Sequence, residues 1–147
     1  MRAVDRIRHL RPADWRLLVE AAWVLTRVRL ALWTRPFEQV RRRFTTLVVA
    51  RPPSPRGREG DPPSVAAAVR RARRFVPAAT CLPQALATHY MLARRGVRSE
   101  LRIGVAKDER GALQAHAWVE VHGNVVVGAL PDLNRFERLP PLPGESS

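Results

Sequence analysis

Cysteine is nearly missing from this sequence of 147 residues, in which Cys81 stands alone. A single cysteine excludes an intramolecular disulfide and a cysteine-rich zinc site, which rules out the small disulfide-stapled secreted folds and the zinc fingers. The four histidines and the cysteine do not follow a metal-ligand spacing either. We therefore expect no metal and no other cofactor.

Long apolar runs are missing as well, since none reaches the roughly 18 to 20 residues that a membrane span needs. The charged start of the chain is not followed by an apolar segment or a small-residue cleavage site, so we expect no signal peptide and a cytoplasmic protein. Hydrophobic residues still make up 46% of the chain, which is enough to bury a core. The length allows one compact domain with an appendage.

Lysine is also scarce, because Lys107 is the only lysine among 26 basic residues. With 13 acidic residues the net charge is +13, which favours an acidic partner or a nucleic acid. A codon or genome bias toward arginine explains the same charge. Aromatic residues make up only 6%, and no helix-turn-helix or RNA-binding signature is present, so we expect no specific nucleic-acid partner.

The periodicity of the apolar residues changes along the chain and predicts an α+β fold. Helical spacing comes first, and an antiparallel meander of alternating segments follows it. The predicted helices cover residues 12–33, 36–50, 64–76 and 81–95, and the predicted strands cover 101–105, 113–121 and 125–128. The tail after residue 128 is expected to be mostly irregular.

A stretch rich in proline and glycine divides the chain. Residues 51–63 hold five prolines and two glycines and predict a linker. It separates an N-terminal helical segment, residues 1–50, from a second unit, residues 64–147, whose first helix is expected to be capped by Ser64.

Two interpretations of Cys81 stay open. A lone cysteine is usually a small buried hydrophobic residue. Cys81, however, is predicted at a helix start, where unpaired N–H groups and the positive helix end favour a thiolate. His116 lies on a later strand, and a Cys/His pair is what a nucleophile and its base require. Gln84, one turn after Cys81, is expected to be partly exposed or to contact a substrate.

The direction of His116 is also open. Alternation puts it on one face of its strand with Trp118 and Glu120, whereas Ala117 and Val119 lie on the apolar face. By periodicity alone, His116 is a histidine on a half-buried strand. If both sides of the sheet are covered, this assignment to a face does not decide whether the side chain of His116 points toward the cysteine helix.

Three segments resemble a known family: residues 81–97 (CLPQALATHYMLARRGV), 101–105 (LRIGV) and 115–128 (AHAWVEVHGNVVVG). They are similar to the leader-peptidase part of the lasso-peptide maturation B proteins, which are transglutaminase-like, papain-related cysteine hydrolases related to the microcin-processing protein. The resemblance runs from about Cys81 to Leu139, and residues 10–33 resemble the family's N-terminal region. It implies a transglutaminase-like or papain-like domain, its nucleophile helix packed on an antiparallel sheet, with an N-terminal helical extension.

The resemblance also implies an activity. The family removes the leader from a ribosomally made precursor, just after a leader end marked by a penultimate threonine. Carried over, Cys81 is the nucleophile and His116 is the general base and later the acid. Many relatives place an aspartate where this sequence has Gly128, and Asp132 is the nearest downstream candidate for that role. Asp132 is equally well a turn or capping residue, with a backbone carbonyl orienting His116 in a Cys/His dyad.

Partners follow from the same resemblance. They are the leader region of the precursor, a separate leader-recognition protein and the cyclase that closes the lasso ring. A separate recognition protein is implied because the N-terminus of this chain lacks the strand-rich winged-helix pattern of the recognition domain. Arginine clusters such as Arg70–Arg74 are either solvated faces or docking sites for acidic stretches. A membrane is not expected, although the first helix is amphipathic. The competing interpretation is a non-enzymatic basic helical adaptor that binds protein, nucleic acid or a membrane, with Cys81 structural.

Overall fold

The computed structural model describes residues 10–49 and 61–140, with the backbone alone for residues 44–49. Within these residues, four α-helices precede a four-stranded antiparallel sheet, which confirms the expected α+β fold. The helices are α1 (Pro12–Thr34), α2 (Phe37–Val49), α3 (Pro62–Ala72) and α4 (Cys81–Arg94). The strands are β1 (Glu100–Lys107), β2 (Leu113–Val121), β3 (Asn124–Val127) and β4 (Glu137–Arg138), and a 3-10 turn, Leu133–Arg135, precedes β4.

Helix α3 begins earlier than expected. It starts at Pro62, inside the predicted linker, and Asp61 rather than Ser64 stands at the N-cap position. Proline fixes a helical φ, and its missing N–H is not needed in the first turn, so Pro62 and Pro63 start the helix instead of preventing it. The rest of the predicted linker, 51–60, lies outside the described residues, as do 1–9, 50 and 141–147. The division into 1–50 and 64–147 stays a prediction.

Helix α1 belongs to the main hydrophobic core. Its inner side packs against α3 and α4, and the core continues to the apolar face of β2. Fully buried members are Leu25 and Val28 from α1, Val40 from α2, Val65 and Val69 from α3, Leu86 and Leu92 from α4, and Val119 from β2. The N-terminal helix and the helix that begins at Cys81 are therefore packed into one body.

The outer side of α1 carries a stripe of exposed apolar residues. Its exposed large hydrophobic residues recur at helical spacing, beside the exposed Arg16 and Arg27; they are Trp15, Val19, Trp23, Leu30 and Trp33. Exposed apolar stripes of this kind mark interaction surfaces. None of the described helices, α1 included, is both long and apolar enough to cross a membrane.

Both faces of the sheet are covered. Its strand order is β3-β2-β1-β4, and the helices cover the face that carries Ala117 and Val119. On the other face, Trp118 and Phe136 are buried in a second, smaller cluster. They meet over Gly104, where an added Cβ would lie 2.9 Å from the Cβ of Phe136. This contact holds the tail on the sheet and forms β4, which the alternation in the sequence did not predict because the strand has only two residues.

Candidate active site

A groove of about 800 Å³ lies between the end of α3, the start of α4 and the sheet edge where β3 ends. Cys81 and His116 both line it, so the structure places the two sequence candidates in one groove. Within the described residues, no hydrogen bond joins the thiol of Cys81 to the imidazole of His116. A nucleophile and its base are often separated in a free enzyme and approach each other when substrate binds.

Cys81 is the first residue of α4 and is half-buried. Thr80 stands at the N-cap position before it. Because Cys81 and Leu82 belong to the first turn, their backbone N–H groups have no acceptor within the helix, and Pro83 has no N–H to offer. The helix start therefore combines a thiol with two backbone donors that can stabilise a negative charge beside it.

The segment before Cys81 is held in an unusual conformation. Ala78 has a φ of 56°, a region that residues other than glycine rarely adopt. The side chain of Gln84 donates from Nε2 to the carbonyl of Ala79 at 2.8 Å, which ties this segment to α4. Gln84 is buried at 9% exposure, so the expectation of a partly exposed side chain is wrong. The position of Gln84 one turn after Cys81 places its side chain near the start of the helix. The sequence does not show, however, that the segment before the helix folds back to accept a hydrogen bond from Gln84.

The ring of His116 has a defined orientation. Its Nε2 atom donates to the carbonyl oxygen of Gly128 at 2.7 Å. Because a carbonyl can only accept, Nε2 carries a proton, and Nδ1 is the nitrogen that is left to act as a base. The ring stacks on Trp118, with 6.1 Å between the two ring centroids. It is tilted against the ring of Phe136, with 5.5 Å between the centroids. One hydrogen bond and two aromatic neighbours thus fix the imidazole.

Gly128 can accept this hydrogen bond because it is glycine. Its φ is 83°, and a Cβ at this position would lie 2.6 Å from the carbonyl oxygen of Ala117. Only a residue without a side chain allows the chain to pass so close to β2 as it leaves β3. Strand β3 pairs with β2 only between Val119 and Val121, so the edge of β2 beside His116 is left for this contact.

Asp132 lies elsewhere. Its carboxylate pairs with the Nε atom of Arg135 at 3.1 Å, and its side chain is 53% exposed. It stands at the N-cap position of the 3-10 turn and does not line the groove. Among the described residues, the hydrogen bond of His116 goes to Gly128 and not to this carboxylate. The geometry corresponds to the alternative of a turn residue with a backbone carbonyl as orienting group, and a catalytic role of Asp132 stays a prediction.

Two other polar groups have structural partners. His89 is buried in α4, and its Nδ1 shares a hydrogen bond of 2.8 Å with the hydroxyl of Ser99. Glu120 is buried on the tail-covered face, where it accepts from Trp118 and pairs with Arg138 at 3.0 Å. In the described parts of the chain, no group of three His, Cys, Asp or Glu side chains is arranged to hold a metal ion.

Comparison with known protein families places the chain as follows. The model of the transglutaminase-like superfamily matches residues 22–140. The matched region includes most of α1 together with the groove and all four strands. Neither the curated proteins nor the solved structures gave a match.

Proposed function

The chain belongs to the transglutaminase-like superfamily, and on this premise we propose that it is a cysteine peptidase that removes the leader from a lasso-peptide precursor. The observation that carries the proposal is the common groove of Cys81 and His116. The hydrogen bond of His116 to the Gly128 carbonyl supports it, because it leaves Nδ1 as the basic nitrogen.

The proposed reaction begins when Nδ1 of His116 takes the proton of the Cys81 thiol. The sulfur attacks the carbonyl carbon of the scissile peptide bond, and the N–H groups of Cys81 and Leu82 stabilise the oxyanion, an effect of roughly 3 kcal/mol per donor. The imidazolium then protonates the leaving amine, the C–N bond breaks, and a thioester remains. Water, deprotonated by His116, hydrolyses the thioester to release the leader carboxylate and restore the thiol.

The resemblance supports the finer parts of the proposal. The cleaved bond follows a leader end with a penultimate threonine, and the reaction takes place in the cytoplasm. The peptidase cooperates with a separate leader-recognition protein and with a cyclase. The exposed stripe of α1, in which Trp23 and Trp33 are 64% and 78% exposed, supports a protein partner.

The deciding experiment uses a pool of synthetic peptides with threonine fixed at the penultimate position before the bond to be cleaved. Mass spectrometry identifies the products and separates hydrolysis from transfer of the acyl group to an amine. We expect cleavage by the wild type and none by Cys81→Ala or His116→Ala. The control is His122→Asn, because His122 lies in an exposed turn with a φ of 50°, which asparagine tolerates. Cleavage by either active-site variant would contradict the assignment.

Alkylation gives a second test that needs no substrate. Cys81 is the only thiol, so the mass added by iodoacetamide reports on this residue alone. We expect faster alkylation at neutral pH in the wild type than in His116→Ala, because the imidazole accepts the thiol proton. Equal rates, together with an uncleaved peptide pool, would favour the non-enzymatic adaptor.

A further inference from the structure

One wall of the groove is strongly basic. Arg70, Arg73 and Arg74 line it from the end of α3, on the segment that leads to Cys81. Among the described residues, the groove lining contains these three arginines and no carboxylate. A negatively charged ligand would therefore find opposite charge and no like charge beside the sulfur.

The three arginines differ in what they contact. Arg70 donates to the carbonyl of Val126 at 3.3 Å and so connects α3 with β3. Arg73 and Arg74 are exposed, and within the described chain their side chains make no hydrogen bond and no ion pair. Guanidinium groups without a protein partner are free to bind a carboxylate through two parallel hydrogen bonds.

An apolar side chain completes the wall. Phe75 follows Arg74 directly, lines the same groove and is 60% exposed, although an aromatic ring of this size is normally buried. The groove volume of about 800 Å³ suits a short extended peptide segment rather than a folded protein.

We propose that Arg73 and Arg74 form an acidic-residue subsite, which selects peptides carrying Asp or Glu, with an apolar neighbour, within a few residues of the cleaved bond. This inference rests on the proposed peptidase function and adds a substrate class to it. The peptide is favoured over a nucleic acid because the basic wall shares its groove with Cys81 and His116, and because the wall contains a single exposed aromatic ring.

The test keeps the penultimate threonine and compares peptide pools in which each other position flanking the cleaved bond is Glu, Gln or Lys. We expect the wild type to prefer Glu over Gln in kcat/KM by about tenfold, because a charge-assisted bidentate pair is lost with Gln. In Arg73→Ala/Arg74→Ala this preference should vanish, and in Arg73→Glu/Arg74→Glu it should shift toward Lys. The matched control is Arg71→Ala, which removes one charge from an exposed arginine on the same segment outside the groove lining and should keep the preference for Glu.

A binding measurement distinguishes an incorrect subsite from an incorrect peptidase assignment. The Cys81→Ala protein should bind the labelled Glu peptides more tightly than the Gln peptides, with a difference that shrinks as salt is raised. If the wild type cleaves Glu, Gln and Lys peptides equally, the subsite is wrong while the peptidase stands. If no peptide is cleaved or bound and labelled oligo-dT binds through Arg73 and Arg74, the basic wall serves a nucleic acid and this inference is overturned.

Discussion

The imidazole of His116 donates a hydrogen bond of 2.7 Å to the carbonyl of Gly128, which ties β2 to the residue directly after β3. Among the described residues, the hydrogen-bond partner of the ring is thus a backbone carbonyl and not a carboxylate. Since the carbonyl belongs to a glycine in the left-handed region, the orientation of the ring depends on the conformation of that one residue.

Gly128→Ala tests this dependence. The left-handed conformation costs alanine roughly 1–2 kcal/mol, and the added Cβ would meet the carbonyl oxygen of Ala117 at 2.6 Å. The backbone must move, and the acceptor of His116 moves with it. We expect cleavage of the peptide pool to fall by about tenfold or more, since misplacing a catalytic group by a small distance has effects of this size.

The control for this substitution is Gly123→Ala. Gly123 has a similar φ of 78°, but no atom lies within 4 Å of an added Cβ. Thermal unfolding should show a loss of stability in both variants, and peptide cleavage should be lost only in Gly128→Ala. Equal cleavage by the two variants would show that the carbonyl does not position His116.

Asp132→Ala examines the predicted third member of the site. Because the carboxylate is half-exposed and pairs with Arg135, we expect a change in unfolding free energy of about 0.5 kcal/mol or less. Turnover of the peptide pool should stay close to that of the wild type, while His116→Ala in the same assay abolishes it. A strong loss of turnover in Asp132→Ala would assign the orienting role to this carboxylate.

The sequence predicted the structure best where a pattern of residue types corresponds to one kind of local structure. Cys81 was predicted at a helix start, and α4 begins there. Alternation predicted that Ala117 and Val119 share one face of β2, and both lie in the core that the helices form, whereas Trp118 lies in the second cluster. The contacts that orient the site were not predictable in this way. The acceptor for His116 is a backbone carbonyl, which every residue carries, and β4 exists because Phe136 packs over Gly104 rather than because of a pattern in its two residues.

Gln84→Ala should loosen the segment that leads to the nucleophile. Loss of the hydrogen bond to Ala79 removes about 1 kcal/mol of stability and frees a segment that holds Ala78 at a positive φ. We expect slower alkylation of Cys81 by iodoacetamide and a lower kcat. Gln39→Ala, at an exposed position of α2, is the control and should change neither quantity. An unchanged alkylation rate in Gln84→Ala would show that the tether has no influence on the thiol.

Leu25→Ala tests whether α1 is essential to the folded body. Leu25 is fully buried, so its truncation should lower the free energy of unfolding by about 2–5 kcal/mol. Leu30 lies on the same helix but is 53% exposed, and Leu30→Ala should stay within about 0.5 kcal/mol of the wild type. Denaturant titration measures both. A mild effect of Leu25→Ala would mean that the N-terminal helix is an appendage after all.

Trp23→Ser/Trp33→Ser tests the outer stripe of α1 as a partner surface. Both side chains are exposed, so the double variant should unfold at a temperature close to that of the wild type and should still cleave short peptides. If this stripe binds the leader-recognition protein, stimulation of cleavage by that protein should disappear. Unchanged stimulation would place the partner elsewhere.

The tail that packs on the outer face of the sheet has a consequence for biogenesis. The three groups that steady His116, the ring of Trp118, the Gly128 carbonyl and the ring of Phe136, all follow it in the chain. On the ribosome the cysteine helix emerges first, then the histidine, and last the segment that holds its ring. A growing polypeptide therefore cannot hold the imidazole in this orientation until Phe136 has been synthesised.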